Sequence, residues 1–319
     1  MDGLLDFSPM AHHLLQSNAV GCAQRTLKSA ICCVGVGLHS GRRVNVTLRP
    51  APADSGIVFR RADLGANLAA RFDYVSDARL CTVLASPDRP ELRVGTVEHL
   101  MAALSACGIS NVLVELDGPE VPVLDGSAAQ WVFLLDCAGS VEQAAPARVI
   151  EVLRTVRVED GEAFAELRPG DSNVLEMSMS IAFDAPAIGR QALSLAAGGP
   201  AVRHELTEAR TFTLAHEVAG LQAVGLAQGG SLDNAVVVDG ARVLNPGGLR
   251  MADEFVRHKM LDAVGDLAMA GAMLRGRFVG HRSGHMLNNR VLRALFAHQA
   301  NWREATPSDW AAAPVLQAA

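Results

Sequence analysis

The stretch Ser140-Val141-Glu142-Gln143-Ala144-Ala145-Pro146-Ala147-Arg148 decides how the chain is divided, because the same order of elements is read on either side of it. Its small and polar residues carry no sustained apolar periodicity and end near a proline, so it reads as a boundary between two domains. Upstream, Val44-Asn45-Val46-Thr47-Leu48 and Ile57-Val58-Phe59 read as strands, with Pro50 and Pro52 marking a turn between them. A helix is expected from Val97 to about Cys107, capped by Thr96 and followed by Gly108. Next come a strand from Asn111 to Leu116, closed by Asp117-Gly118-Pro119, and a helix from about Ala128 to Cys137 between Ser127 as N-cap and Gly139.

Downstream the pattern restarts. Val152 to Val158 and Ala163 to Leu167 flank Asp160-Gly161, a hairpin signal, and Val174 to Phe183 continues the alternation. A long helix is expected from Asp253 to about Leu274, a short strand near Phe278, and a last helix from about Leu287 to His298. Each half runs strands, helix, strand, helix. Between Thr211 and Leu244 the second half carries something extra: Leu214 to Ala227 reads as an amphipathic helix broken by Gly229-Gly230. After it, Ala235 to Val238 and Arg242 to Leu244 flank a turn at Asp239-Gly240. Nothing in the first half matches this apolar insertion.

Bulk properties narrow the classes. A chain of 319 residues, half of them hydrophobic and 19% charged, buries a sizeable core and is not disordered. Its net charge of −6 argues against a nucleic-acid partner, which demands a concentrated basic surface. No apolar run approaches the ~18 residues that span a bilayer, and the first 20 residues lack a secretory pattern, so a cytoplasmic protein is expected. The six cysteines (Cys22, Cys32, Cys33, Cys81, Cys107, Cys137) lack Cys-x-x-Cys spacing and read as reduced thiols, mostly in the core.

His258 and Asp262 stand four apart in Glu254-Phe255-Val256-Arg257-His258-Lys259-Met260-Leu261-Asp262, on one face of the expected helix, with Asp266 one turn further along. An imidazole and a carboxylate so spaced can share a divalent cation; a plain surface pair is the commoner use of that spacing. In Thr96-Val97-Glu98-His99-Leu100 a carboxylate stands beside a histidine at a helix start. One reading gives His99 as a third ligand and Glu98 as a general base; the other gives a first-turn acid followed by a core histidine. At Ser283-Gly284-His285, with Asn288-Asn289 behind, His285 is either a proton donor kept charged by Asp266 or a turn cap. In Arg210-Thr211-Phe212 the Thr211 hydroxyl can polarise a carbonyl, while Phe212 also suits a core. Lys259, about 100° around the helix from His258, meets either a phosphate or solvent.

Taken in order, Gly35-Val36-Gly37-Leu38-His39-Ser40-Gly41, Thr96-Val97-Glu98-His99-Leu100, Leu124-Asp125-Gly126-Ser127-Ala128, Arg210-Thr211-Phe212, the stretch 253–266 and Ser283-Gly284-His285 resemble the UDP-3-O-acyl-N-acetylglucosamine deacetylase family over roughly Gln24 to Trp302. The resemblance implies an α+β fold, a two-domain sandwich in which each domain is a sheet plus helices and the helices pack between the two sheets. It implies residues 1–21 as an extension, 22–145 as the first domain, and 146–319 as the second, with the apolar insertion at about 214–244 as a passage for the acyl chain. The implied activity is a zinc-dependent hydrolysis of the 2-acetamido group of a UDP-3-O-(3-hydroxyacyl)-N-acetylglucosamine to the free amine and acetate, the committed step of lipid A biosynthesis.

Carried onto this sequence, the family's metal ligands fall on His99, His258 and Asp262, and its general base on Glu98. His285 matches its cationic histidine, Asp266 the partner of that histidine, and Thr211 the residue that helps the oxyanion. Lys259 falls near the UDP phosphates, Phe212 lines the substrate site and Cys81, in Leu80-Cys81-Thr82, falls close to the metal. His39 lies within a family motif without a defined role. Zn2+ is the expected cofactor, Fe2+ suiting the same ligands, and the partner is the acylated UDP-sugar alone, with the protein a monomer. A hydrolase of another N-acyl sugar and a non-catalytic UDP-sugar sensor are the competing readings. A panel of acylated and non-acylated UDP-sugars separates the former, and acetate release under metal-replete conditions rejects the latter.

Overall fold

The structure is a computed structural model describing residues 23–307; the expected extension 1–21 and Cys22 lie outside the described residues. The segment read as a domain boundary contains a strand. Ser140–Pro146 pairs antiparallel with Ala23–Leu27, so its alternation of partly buried and exposed residues reflects a ribbon edge instead of a loop. Among the described residues six helices form: α1 (Glu98–Ala106), α2 (Ala129–Ala138), α3 (Gly199–Glu205), α4 (Ala215–Ala223), α5 (Glu254–Ala268) and α6 (His285–Phe296).

The strands build one five-stranded and one seven-stranded sheet, with smaller sheets at their margins. In the first, Val112–Leu116 is central, antiparallel to Arg43–Pro50 and parallel to Ile57–Arg61. The second is centred on Met273–His281, antiparallel to Ala163–Arg168 and parallel to Leu175–Ala182. In both halves the central strand follows the helix that bears site residues and precedes another helix. The repeated order seen in the sequence is therefore a repeated topology. The architecture is mixed α/β, a two-layer arrangement of sheets with α1, α2, α5 and α6 packed between them, as the resemblance implies. Inward side chains such as Val46, Phe59, Val114, Met177 and Phe278 close the core, each contributing roughly 1.5–3 kcal/mol by burial.

Several boundaries differ from the sequence reading for identifiable reasons. Thr96 does not cap α1: it holds a left-handed backbone (φ 54°) and its hydroxyl donates to Glu120, leaving Val97 at the cap position. The helix expected to run to Leu274 stops at Ala268, where Gly271 (φ 81°) turns the chain, and a nine-residue strand follows in place of a short one. Gly276 and Gly280 hid that strand, yet both allow close approach to neighbours in the sheet. The amphipathic helix expected over 214–227 shrinks to α4, Ala215–Ala223, none of whose residues is buried. Strand Arg190–Ala196 and helix α3 went unread.

The helix pair α1 and α5 is the junction of the two halves. A Cβ added at Gly265 in α5 would collide with the carbonyl oxygen of Glu98 at the start of α1. Only glycine lets the helices approach so closely. Gly265→Ala should therefore lower stability by at least ~1–3 kcal/mol, the usual cost of overpacking, as measured by denaturant unfolding. An unfolding free energy equal to that of the parent would show that the contact is slack.

Candidate metal centre

Residues His258, Asp262 and Asp266 follow one another at four-residue intervals on α5, a helix with buried residues on nearly every side, so they form a polar stripe inside the molecule. Glu98 and His99 open α1 opposite that stripe, and His285 opens α6. All six are nearly inaccessible to solvent. Ligand atoms of His99, His258 and Asp262 lie within 4.8 Å of one another.

These residues suit a divalent cation. His258 Nδ1 lies 3.0 Å from the Ala209 carbonyl, which can only accept, so the proton sits on Nδ1 and the Nε2 lone pair faces inward. Burial drives the His258 pKa down to about 4 against the pull of Asp262, keeping the imidazole neutral. Asp262 Oδ1 is buried without a hydrogen-bond partner, and it faces the Nε2 atoms of His258 at 3.2 Å and of His99 at 3.6 Å. Its other oxygen accepts from Lys259 Nζ at 2.9 Å. An orphaned carboxylate oxygen between two imidazole nitrogens is costly unless a cation joins them.

Asp266 is saturated: Oδ1 accepts from the Thr82 hydroxyl at 2.6 Å, and Oδ2 from His285 Nδ1 and Asn288 Nδ2, both at 2.9 Å. His285 therefore presents Nε2 to the centre, 3.8 Å from Glu98 Oε1 and 3.9 Å from Asp262 Oδ2. Burial opposes its charge, but Asp266, Glu98 and Asp262 raise its pKa to about 9. Burial pushes Glu98 upward, opposed by His285 and His99, while its Oε2 takes the Thr82 backbone N–H at 3.0 Å. A carboxyl pushed toward its neutral form and a histidine held in its charged form thus face one another beside the three candidate ligands.

The remaining expected site residues fall around this cluster. The Phe212 ring stands edge-on to His258, centroids 6.3 Å apart, and Thr211 precedes it, its N–H donating to the Gly126 carbonyl at 2.8 Å. Lys259 also borders a cleft of about 670 Å³ together with Phe183, Leu214, His216 and Arg282. Cys81 bonds to Thr96, and burial with the nearby Glu98 charge pushes its thiol far up, so it stays protonated. His39 borders a second cleft, of about 580 Å³, with Cys81 and Thr96. Sequence reasoning missed Thr82, which bridges Glu98 and Asp266 although it directly follows Cys81. It also missed the buried Arg210–Glu254 pair (2.8 Å), whose hold on the Arg210 backbone steadies the adjacent Ala209 carbonyl.

A family model for UDP-3-O-acyl N-acetylglycosamine deacetylase matches residues 24–297. Among curated relatives, the UDP-3-O-acyl-N-acetylglucosamine deacetylase of Acidithiobacillus ferrooxidans is 49% identical, the alignment covering 88% of this chain and 91% of the relative. Proteins of the same description from Haemophilus ducreyi (45% identical; 91% and 95% covered) and Phenylobacterium zucineum (49%; 89% and 96%) are similarly close.

The charge on His285 has a measurable signature in protein stripped of divalent cations. Its folded pKa of about 9 exceeds the unfolded value, so its proton adds stability that is complete below ~6.5 and disappears as pH rises through about 9. Asp266→Asn should lower that pKa and flatten this pH dependence, followed by NMR titration of the ring nitrogens alongside denaturation. An unmoved His285 resonance would separate the two residues.

Proposed function

This chain belongs to the UDP-3-O-acyl N-acetylglycosamine deacetylase family, and we propose that its buried cluster is the centre at which the family's reaction takes place. The reaction is hydrolysis of the 2-acetamido group of a UDP-3-O-(3-hydroxyacyl)-N-acetylglucosamine to the amine and acetate, within lipid A biosynthesis. One observation carries the assignment to this cluster: an orphaned Asp262 oxygen facing two histidine nitrogens, with a carboxylate and a cationic histidine alongside.

His99, His258 and Asp262 hold a divalent cation in this reading, and zinc fits two imidazoles and a carboxylate, as does ferrous iron. When bound, the cation supplies Lewis acidity and a water acidic enough to ionise near neutral pH. Glu98 takes the proton of the attacking water. The Nε2–H of His285 and the hydroxyl of Thr211 stabilise the oxyanion that forms on the acetamide. Asp266 keeps His285 charged and correctly turned, its other bonds to Thr82 and Asn288 fixing its own orientation. Glu98 and His285 both stand close enough to return a proton to the departing nitrogen.

Lys259 and Arg282 in the larger cleft suit the diphosphate, and Phe212, edge-on to His258, and Cys81, in the smaller cleft, are assigned to the sugar. The acyl chain runs along the insertion at about 214–244, where α4 presents no buried residue and Val224 and Leu232 are exposed. No helix among the described residues is long and apolar enough to cross a membrane. A cytoplasmic monomer that takes no partner beyond its substrate completes the reading. The two-domain division at 145/146 belongs to the same proposal, supported by the pairing of Ala23–Leu27 with Ser140–Pro146, which brings the ends of the first domain together.

Purified protein should release acetate from an acylated UDP-N-acetylglucosamine, lose that activity on chelation and regain it with zinc. Glu98→Ala should keep its metal while turnover falls at least ~10²-fold, whereas His258→Ala should lose the metal itself. Near-parental turnover in the first variant, or full metal content in the second, removes the corresponding role.

A further inference from the structure

Glu120 lies outside every motif considered so far, yet it is 4% exposed and accepts three hydrogen bonds. Its Oε1 receives the His39 N–H at 2.8 Å and the Thr96 hydroxyl at 2.9 Å, and its Oε2 receives the Ser40 N–H at 2.7 Å. A carboxylate is the one side-chain group able to accept from all three while donating to none. The approach is so close that a Cβ at Gly37 would strike Glu120 Oε2.

Two things hang on this carboxylate. Thr96 is a β-branched residue at φ 54°, a strained conformation that persists only where the surroundings impose it. Gly95 before it is pinned on both sides, its N–H donating to the Pro119 carbonyl at 2.9 Å and its own carbonyl accepting from Val121 N–H at 3.0 Å. The Thr96 hydroxyl bond to Glu120 completes that imposition. Two residues later the chain delivers Glu98 and then His99. On its other side Glu120 holds the turn 37–41, whose Leu38 and His39 carbonyls accept from Gly229 N–H (3.0 Å) and Gln228 N–H (3.2 Å), in the middle of the apolar insertion.

We infer that Glu120 is a positioning residue for the deacetylation. It fixes the backbone that launches Glu98 and, through the turn 37–41, ties the middle of the acyl passage to that same point. It touches no reacting atom and acts through Thr96 and the turn. The inference rests on the deacetylase reading and names a residue which that reading does not use.

The test compares Glu120→Gln, Thr96→Val and Thr96→Ser in zinc-loaded protein, with UDP-sugar substrates carrying a long and a short 3-O-acyl chain. Gln offers one accepting oxygen in place of two, Val keeps the shape of Thr96 without its hydroxyl, and Ser keeps the hydroxyl. Glu120→Gln and Thr96→Val should each lower kcat at least ~10-fold at full metal stoichiometry, as small misplacements of catalytic groups do. Thr96→Ser should stay near the parent. The double variant should lose little more than Glu120→Gln alone, since the Thr96 hydroxyl acts only through the side chain at 120. Glu120→Gln, but not Thr96→Val, should also reduce the long-to-short ratio of kcat/KM, because it alone frees the turn. Unchanged kcat in Thr96→Val, additive losses, or loss of metal in step with activity would overturn the inference. Should the zinc-loaded parent itself release no acetate, the deacetylase reading fails and this inference with it; a parent that turns over while both variants match it sinks the inference alone.

Discussion

Everything at the centre depends on how near α1 can come to α5. The Glu98 carbonyl rests where a side chain at residue 265 would be, so the residue that permits the approach is a glycine one turn beyond Asp262. Gly in a helix interior costs about 1 kcal/mol relative to Ala, and here that cost secures a contact no other residue allows. From it follow the distances between His99, on one helix, and His258 and Asp262, on the other. The sheets on either side act as backing plates that press the helices together.

Placing so many ionisable groups in a dry interior is tolerable only because each finds a partner. Lys259 answers Asp262, three donors answer Asp266, and Arg210 with two backbone N–H groups answers Glu254. Breaking a buried pair by removing one member typically costs 3–5 kcal/mol, so these networks hold geometry with little slack. Among the described residues the exceptions include both ring nitrogens of His39, His99 Nδ1 and Asp262 Oδ1, and the last of these lies where two histidines converge. A carboxylate oxygen unsatisfied between two imidazoles is what distinguishes Asp262 from the saturated Asp266 one turn away.

Much of this was legible in the chain. The helix face of His258, Asp262 and Asp266 follows from period alone, and the duplicated order of elements foreshadowed two sheets with similar central strands. Local patterns could not report what non-local contacts impose. Thr96 carries a capping residue's chemistry but spends its hydroxyl on Glu120, a partner 24 residues away with no local signature. Thr82 and Glu120 look like ordinary loop residues until the fold brings them to Asp266 and Thr96. The strand Met273–His281 was obscured by glycines that exist because neighbouring backbones crowd it. Ser140–Pro146 looked like a boundary because a ribbon exposed on one side needs little apolar alternation.

The candidate ligands also stand about half the chain apart in sequence, His99 early and His258 late. Contacts across such separations form only after a large loss of loop-closure entropy, so they come late in folding, when the sheets that repay it are largely in place. During synthesis the first half leaves the ribosome long before α5 exists, with Glu98 and His99 awaiting the helix that will cover them. The candidate centre therefore comes together only once α5 has been made, and a chain interrupted before residue 258 carries just one of His99, His258 and Asp262.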